Sequence, residues 1–238
     1  MSGEALLQID GLHTYYGRAH ILADLALEAR RGEVVVLLGR NGAGKSTTMK
    51  SVIGLVPAAK GTIAFNGERI ERTSPHRIAR QGLGYVPEDR RIFTELTVME
   101  NLEVGRQPPR EGSPTWTPDR LFELFPNLGR MKDRPGGSMS GGEQQMLTIA
   151  RTLMGNPQLI LLDEPSEGLA PVIVEQMART ILQLKAEGLA VLLSEQNLHF
   201  SQMVADRAYI IEKGRIRYQG TMAELAADTA AREQYLSV

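Results

Sequence analysis

The sequence predicts an α/β fold, a parallel sheet covered by helices, and three observations carry that expectation. Strand-like apolar segments alternate with helical ones, the order in which strands and crossover helices build a parallel sheet. The apolar run Val34-Val35-Val36-Leu37-Leu38 leads into Gly39-Arg40-Asn41-Gly42-Ala43-Gly44-Lys45-Ser46-Thr47, a glycine-rich turn that opens a helix. A second apolar run, Leu159-Ile160-Leu161-Leu162, delivers Asp163 and Glu164 at its C-terminal end, the edge at which open α/β sheets bind their ligands.

Taken in chain order, the first signals are alternating segments, Leu25-Ala26-Leu27-Glu28-Ala29 and Thr62-Ile63-Ala64-Phe65, which read as antiparallel strands flanking the glycine-rich turn. Residues 34–38, 159–162 and 189–193 are short apolar runs bounded by turn signals, as expected of strands buried on both faces. Between them the texture changes. Residues 97–104 and 119–125 read as helices, separated by the loop Gln107-Pro108-Pro109-Arg110-Glu111-Gly112-Ser113-Pro114. We read residues 88–155 as a helical subdomain inserted into an α/β core formed by residues 1–87 and 156–238. Near the end, Thr221 and Glu224 have capping-box spacing and start a final helical segment.

The glycine-rich turn is a phosphate loop. Its glycines let backbone N–H groups converge at the positive end of the helix that follows, Lys45 reaches the outer phosphates, and the Ser46 hydroxyl ligates a magnesium ion. Asp163 is placed to hold Mg²⁺ through water and Glu164 to polarise an attacking water. A strand ending in an exposed acidic turn is the plainer reading, and the phosphate loop upstream weighs against it. Ser140-Gly141-Gly142-Glu143 starts another helix, where two glycines expose N–H groups able to receive a phosphate and Ser140 adds a donor; a simply capped helix start has the same pattern.

Composition narrows the function. The chain has 238 residues, enough for one domain with a sizeable core, and 27 basic against 28 acidic side chains. A net charge of −1 argues against a broad nucleic-acid-binding face. Cysteine is absent, which removes disulfides and thiolate metal sites. No apolar run approaches the about 18 residues a membrane span needs, and Met1-Ser2-Gly3-Glu4-Ala5 lacks the basic and apolar regions of a leader. His13, His20, His76 and His199 show no metal-ligand spacing, so no zinc site is expected. Trp116, the single tryptophan, is expected to pack rather than to act.

With these motifs in place, the chain resembles the ATP-binding subunits of ABC importers from Tyr16 to its C-terminal helix. Within them it looks most like the second ATPase of branched-chain (hydrophobic) amino acid importers, the LivF type. Four segments carry that closer match: Tyr85-Val86-Pro87-Glu88-Asp89-Arg90-Arg91-Ile92-Phe93, residues 139–146, Asp163-Glu164-Pro165-Ser166-Glu167-Gly168-Leu169-Ala170-Pro171, and Glu195-Gln196-Asn197. The wider family has glutamine where Glu88 stands and a switch histidine where Gln196 stands. The resemblance implies a P-loop NTPase core with an antiparallel β subdomain and the helical insertion. It implies ATP and Mg²⁺ as ligands, with Glu164, Lys45 and Gln196 in catalysis, Ser46, Asp163 and Glu88 on the metal, and Tyr16 under the adenine. A strand tyrosine packing in the sheet is the alternative at Tyr16.

By the same resemblance, the Ser140 segment binds the γ-phosphate held by a second ABC ATPase subunit, giving a heterodimer in the working complex, with a monomer or a homodimer open to the isolated protein. Two transmembrane permeases and, indirectly, a periplasmic binding protein complete the assembly at the cytoplasmic face of a bacterial inner membrane. Branched-chain amino acids are the default solute; urea, short amides and aromatic carboxylates are carried by related systems. Gln196 can donate to a phosphate oxygen but cannot carry a proton at neutral pH as a histidine can, so slower turnover is expected. Two other readings remain. A soluble ABC ATPase acting on nucleic acid or ribosomes is opposed by the near-neutral charge, and a nucleotide-gated module with little hydrolysis is opposed by the intact Lys45, Ser46, Asp163 and Glu164.

Overall fold

The structure, a computed structural model, describes residues 4–236; Met1, Ser2 and Gly3 of the N-terminal stretch read above lie outside the described residues. The elements in chain order are β1 (Ala5–Tyr16), β2 (Ala19–Arg30), β3 (Val34–Leu38), α1 (Lys45–Val52), β4 (Ala58–Phe65), β5 (Glu68–Arg69), α2 (Pro75–Arg80) and β6 (Leu83–Val86). The helices α3 (Val98–Gly105), α4 (Pro118–Leu124), α5 (Pro126–Gly129) and α6 (Gly141–Leu153) follow. The chain then runs through β7 (Leu159–Asp163), α7 (Pro171–Ala186), β8 (Ala190–Glu195), α8 (Leu198–Val204), β9 (Arg207–Glu212), β10 (Arg215–Thr221), α9 (Met222–Ala227) and α10 (Thr229–Tyr235).

Two sheets result. The larger has the order β10-β9-β3-β8-β7-β6, parallel from β9 through β6, with β10 returning antiparallel to β9. The smaller, β2-β1-β4-β5, is antiparallel. Strand β3 shows why the apolar run is unbroken. Val34, Val36 and Leu38 pack into one buried cluster while Val35 and Leu37 pack into another, so both faces of the strand are core.

Helices α3 to α6 lie between β6 and β7, which are neighbours in the parallel sheet. Their starts are fixed locally: Thr97 with Glu100, and Ser140 with Glu143, each form both bonds of a capping box, as do Thr221 and Glu224 at α9. Asn156 anchors the proline-rich loop, its side chain donating to the Gln107 and Pro108 carbonyls and accepting the Trp116 N–H. Trp116 is buried, in line with a packing role. Among the described residues no helix is long and apolar enough to cross a membrane.

Candidate active site

The phosphate loop is set by the end of β3 and the start of α1. The first bond closing onto α1 runs from Thr48 N to the Gly44 carbonyl at 2.9 Å, so the amides of Lys45, Ser46 and Thr47 head the helix with their N–H groups directed outward. Gly42 and Gly44 adopt φ of 76° and 118°, a region that favours glycine. The space where a side chain on Gly42 would stand is open, with nothing within 4 Å, whereas one on Gly39 would strike the Ile211 carbonyl. Such a cradle of bare backbone over open space fits a polyphosphate.

Lys45 and Glu164 are both buried, 3 % and 7 % exposed. The Lys45 ammonium donates to the carbonyls of Gly39 (2.8 Å) and Arg40 (3.1 Å) and pairs with Glu164 Oε1 at 2.9 Å. Gln196 Nε2 donates to the other carboxylate oxygen, Oε2, at 2.8 Å. Burial pushes the Glu164 carboxyl upward, but the hydrogen bonds from Gln196 and Lys45 and the ammonium charge outweigh it and hold the group below its ordinary value. Lys45, Glu164 and Gln196, from three separate parts of the chain, thus form one cluster. Gln196 engages the glutamate here, a contact its reading as a phosphate donor did not include.

Glu164 sits at φ 46°, left-handed backbone that non-glycine residues rarely adopt. Its N–H reaches both the carbonyl and the hydroxyl oxygen of Ser194 at 3.1 Å, which pins the turn. Asp163 is buried, accepts the Ser194 hydroxyl on Oδ1 at 2.6 Å and the Tyr85 hydroxyl on Oδ2 at 3.2 Å. Burial, then the Asp163 charge, raises the Tyr85 phenol far above its usual value, so it stays a donor. Glu195 closes the cluster. Its carboxylate accepts the N–H groups of Ser166, Gln196 and Asn197, its carbonyl accepts Gly39 N, and burial still leaves its carboxyl raised.

The remaining site residues are not members of this hydrogen-bonded cluster. Glu88 is exposed, and its charge, after those of nearer groups, helps to raise Glu167, whose carboxyl is lifted chiefly by its bond to Glu164 and by burial. Tyr16 is 47 % exposed at the end of β1, not packed into the sheet. The Ser140 hydroxyl accepts the Glu143 N–H at 3.4 Å while Glu143 accepts Ser140 N–H at 2.8 Å, so in the single chain the segment is a capped helix start. Gly141 lies against Arg90, whose guanidinium a side chain there would meet. Ser46 is half-buried at the helix start; its hydroxyl and the carboxylates of Asp163 and Glu88 are hard oxygen donors of the kind that Mg²⁺ prefers.

Three features were not read from the sequence. Ser194 faces Asp163 in register across β7 and β8, and only knowledge of that pairing selects it. Tyr85 belongs to a segment singled out above, yet its hydroxyl's partner is 78 positions away. His13 Nδ1 and His20 Nε2 lie 3.1 Å apart because the β1–β2 hairpin folds one over the other, a contact their sequence spacing did not suggest; among the described residues no group of three candidate ligands gathers around them.

The sequence model of the ABC transporter family matches residues 22–167, a span running from β2 past the phosphate loop and the Asp163-Glu164 pair. The chain belongs to the ABC transporter family. This ABC ATPase is 44 % identical over 231 residues to the high-affinity branched-chain amino acid transport ATP-binding protein BraG of Pseudomonas aeruginosa, covering 97 % of this chain and 99 % of that one. It is 37 % identical over 234 residues to the lipopolysaccharide export system ATP-binding protein LptB of Escherichia coli, with 98 % and 97 % covered. Among solved structures, a nucleotide-free ATP-binding cassette from an ABC transporter superposes with a TM-score of 0.83 at 26 % identity, over 99 % of this chain and all of that one. The chain is therefore a nucleotide-binding, ATP-hydrolysing subunit of a transporter, with the ABC ATPase fold that its sequence predicts.

Proposed function

We propose that this subunit energises import of branched-chain or other hydrophobic amino acids through partner permeases, from the cytoplasmic face of a bacterial inner membrane. The observation that carries the solute class is the end-to-end 44 % identity to a protein named for branched-chain amino acid transport. The 37 % identity to a lipopolysaccharide-export ATPase makes the direction of transport the point to test. Importers of urea, short amides or aromatic carboxylates are the next alternatives.

In this reading ATP lays its phosphates over residues 39–47 and its base against Tyr16. Lys45 exchanges the Glu164 carboxylate for the outer phosphates. Glu164, still held by Gln196, then orients the attacking water and takes its proton. Mg²⁺, held by Ser46 and Asp163 with Glu88 as a further oxygen donor, would supply charge neutralisation at the phosphates. Ser140, Gly141, Gly142 and Glu143 of a second ABC ATPase close over the γ-phosphate, and the working pair is a heterodimer. Residues 1–87 and 156–238 act as the core and residues 88–155 as the helical subdomain that passes the motion on.

A permease segment has a fitting seat. A cavity of about 610 Å³ lies where the core meets the inserted helices, lined by Leu83, Tyr85, Phe93, Val104 and Arg151 among others. Arg151 is drawn down from its ordinary pKa by burial; it donates to the Arg91 carbonyl at 2.7 Å, but its Nη1 has no hydrogen-bond partner. Apolar walls around a guanidinium whose Nη1 still lacks a hydrogen bond suit an amphipathic helix carrying a carboxylate.

The test is purification of the subunit from its native membranes, with co-purifying proteins identified by mass spectrometry. Two permeases, a second ATPase and a binding protein that takes up leucine, isoleucine or valine in calorimetry are expected. Recovery of lipopolysaccharide-export membrane components overturns the import reading, and a binding protein that takes urea or an aromatic carboxylate replaces the solute.

A further inference from the structure

Asp163 is held from both strands that flank it, and one of its holders also faces the groove. Ser194 on β8 stands opposite Asp163 in register and is fully buried; its hydroxyl reaches Oδ1 at 2.6 Å. Tyr85 on β6 reaches Oδ2 from the other side at 3.2 Å. The two bonds differ in kind. Hydroxyl bonds to a carboxylate run near 2.5–2.7 Å, so Ser194 is seated while the Tyr85 bond is longer than that range and loose. The Tyr85 ring lines the cavity beside Leu83, Phe93 and Arg151, so side chains entering there press on the ring that carries the loose donor.

We propose that Tyr85 is a positioning residue that links occupancy of the groove to the carboxylate of Asp163. A permease helix carrying a carboxylate for Arg151 packs against the ring and moves the hydroxyl toward or away from Oδ2, while Ser194 holds the other oxygen still. The two positions of the phenol, seated on Asp163 or swung toward the groove, are the states that the partner biases. The proposal rests on the reading of the groove as the permease seat and of Asp163 as a metal-side carboxylate.

Tyr85→Phe keeps the ring and removes the donor. The affinity of the full chain for a fluorescent ATP analogue is measured in EDTA and in Mg²⁺, for the free subunit and for the complex purified with its membrane partners. Affinity in EDTA is expected to be unchanged, while the gain conferred by Mg²⁺ falls about threefold to tenfold. Assembly with the partners is expected to shift that gain in the wild type and not in Tyr85→Phe. Ser194→Ala is expected to lower the gain in the free subunit yet keep the shift on assembly, because its side chain does not reach the groove. Asp163→Asn separates the two layers: if it retains the full Mg²⁺ gain, the metal reading of Asp163 fails. If Asp163→Asn loses the gain while Tyr85→Phe matches the wild type, or if assembly shifts both alike, the positioning proposal is overturned.

Discussion

Replacing Lys45 by methionine in the nucleotide-free protein tests the cluster that the phosphate loop forms with Glu164. Removing one partner of a buried ion pair costs about 3–5 kcal/mol, because the other charge is left without compensation. Here two features reduce it. Gln196 still donates to Glu164, and the site opens on the side from which phosphate enters, so about 2 kcal/mol is expected. Glu164→Gln should cost less, about 1 kcal/mol, because the Lys45 ammonium keeps the Gly39 and Arg40 carbonyls. For a chain of this size these correspond to drops in Tm of about 4–8 °C and about 2–4 °C, readable by calorimetry at pH 7 without nucleotide. The double variant should lose less than the sum. The pH dependence has a definite sign. The Glu164 carboxyl is held below its unfolded value, so its contribution is complete above the ordinary carboxylate range and disappears as pH falls through the lowered native value. The gap between wild type and Lys45→Met should therefore close in acid. Strict additivity of the two substitutions, or a gap that widens in acid, refutes the reasoning.

Glu164→Gln should retain ATP binding while abolishing turnover, and unchanged phosphate release would remove Glu164 from the chemistry. Gln196→His should raise single-turnover hydrolysis in the assembled transporter, since histidine adds a titratable group where an amide now holds Glu164; no change in rate would sink the idea that this glutamine slows the reaction. Arg151→Met should leave the melting temperature within about 2 °C, because the half-buried guanidinium has, among the described residues, no carboxylate partner to strand, yet weaken co-purification with the permeases. Gly214→Ala should destabilise the fold by about 2–4 kcal/mol, measured by urea unfolding, because its φ is 74° and a methyl group there runs into the Ile21 carbonyl.

Motifs whose chemistry is local could be read directly from the chain. Residues 34–38 are a strand buried on both faces, Ser140 and Thr221 cap the helices their spacing predicts, and residues 97–104 and 119–125 fall on α3 and α4 to within one residue at either end. The strand expected over residues 189–193 is shifted to Ala190–Glu195, because polar Ser194 and Glu195 continue the ladder where hydropathy alone would end it. What stayed hidden depends on register. Nothing along the chain says that Ser194 lies beside Asp163, that Tyr85 reaches it from the opposite strand, or that a hairpin sets His13 against His20. Each is a pairing between distant positions, and a single sequence carries the hydrophobic pattern of a strand without naming its neighbours.

The Gly214 turn between β9 and β10 also bears on how a nucleotide is measured. Its carbonyl accepts Ala23 N–H from β2 at 2.9 Å, and its own N–H donates to the Ala43 carbonyl in the phosphate loop at 2.8 Å. A side chain on Gly44 would meet Leu22, so loop and hairpin strand are in direct contact as well. The smaller sheet, which ends β1 at Tyr16, is therefore riveted to the cradle rather than hinged to it. In the proposed reading, with Tyr16 under the base and the loop amides on the phosphates, that tie would select a ligand by its length before any hydrogen bond reads its base.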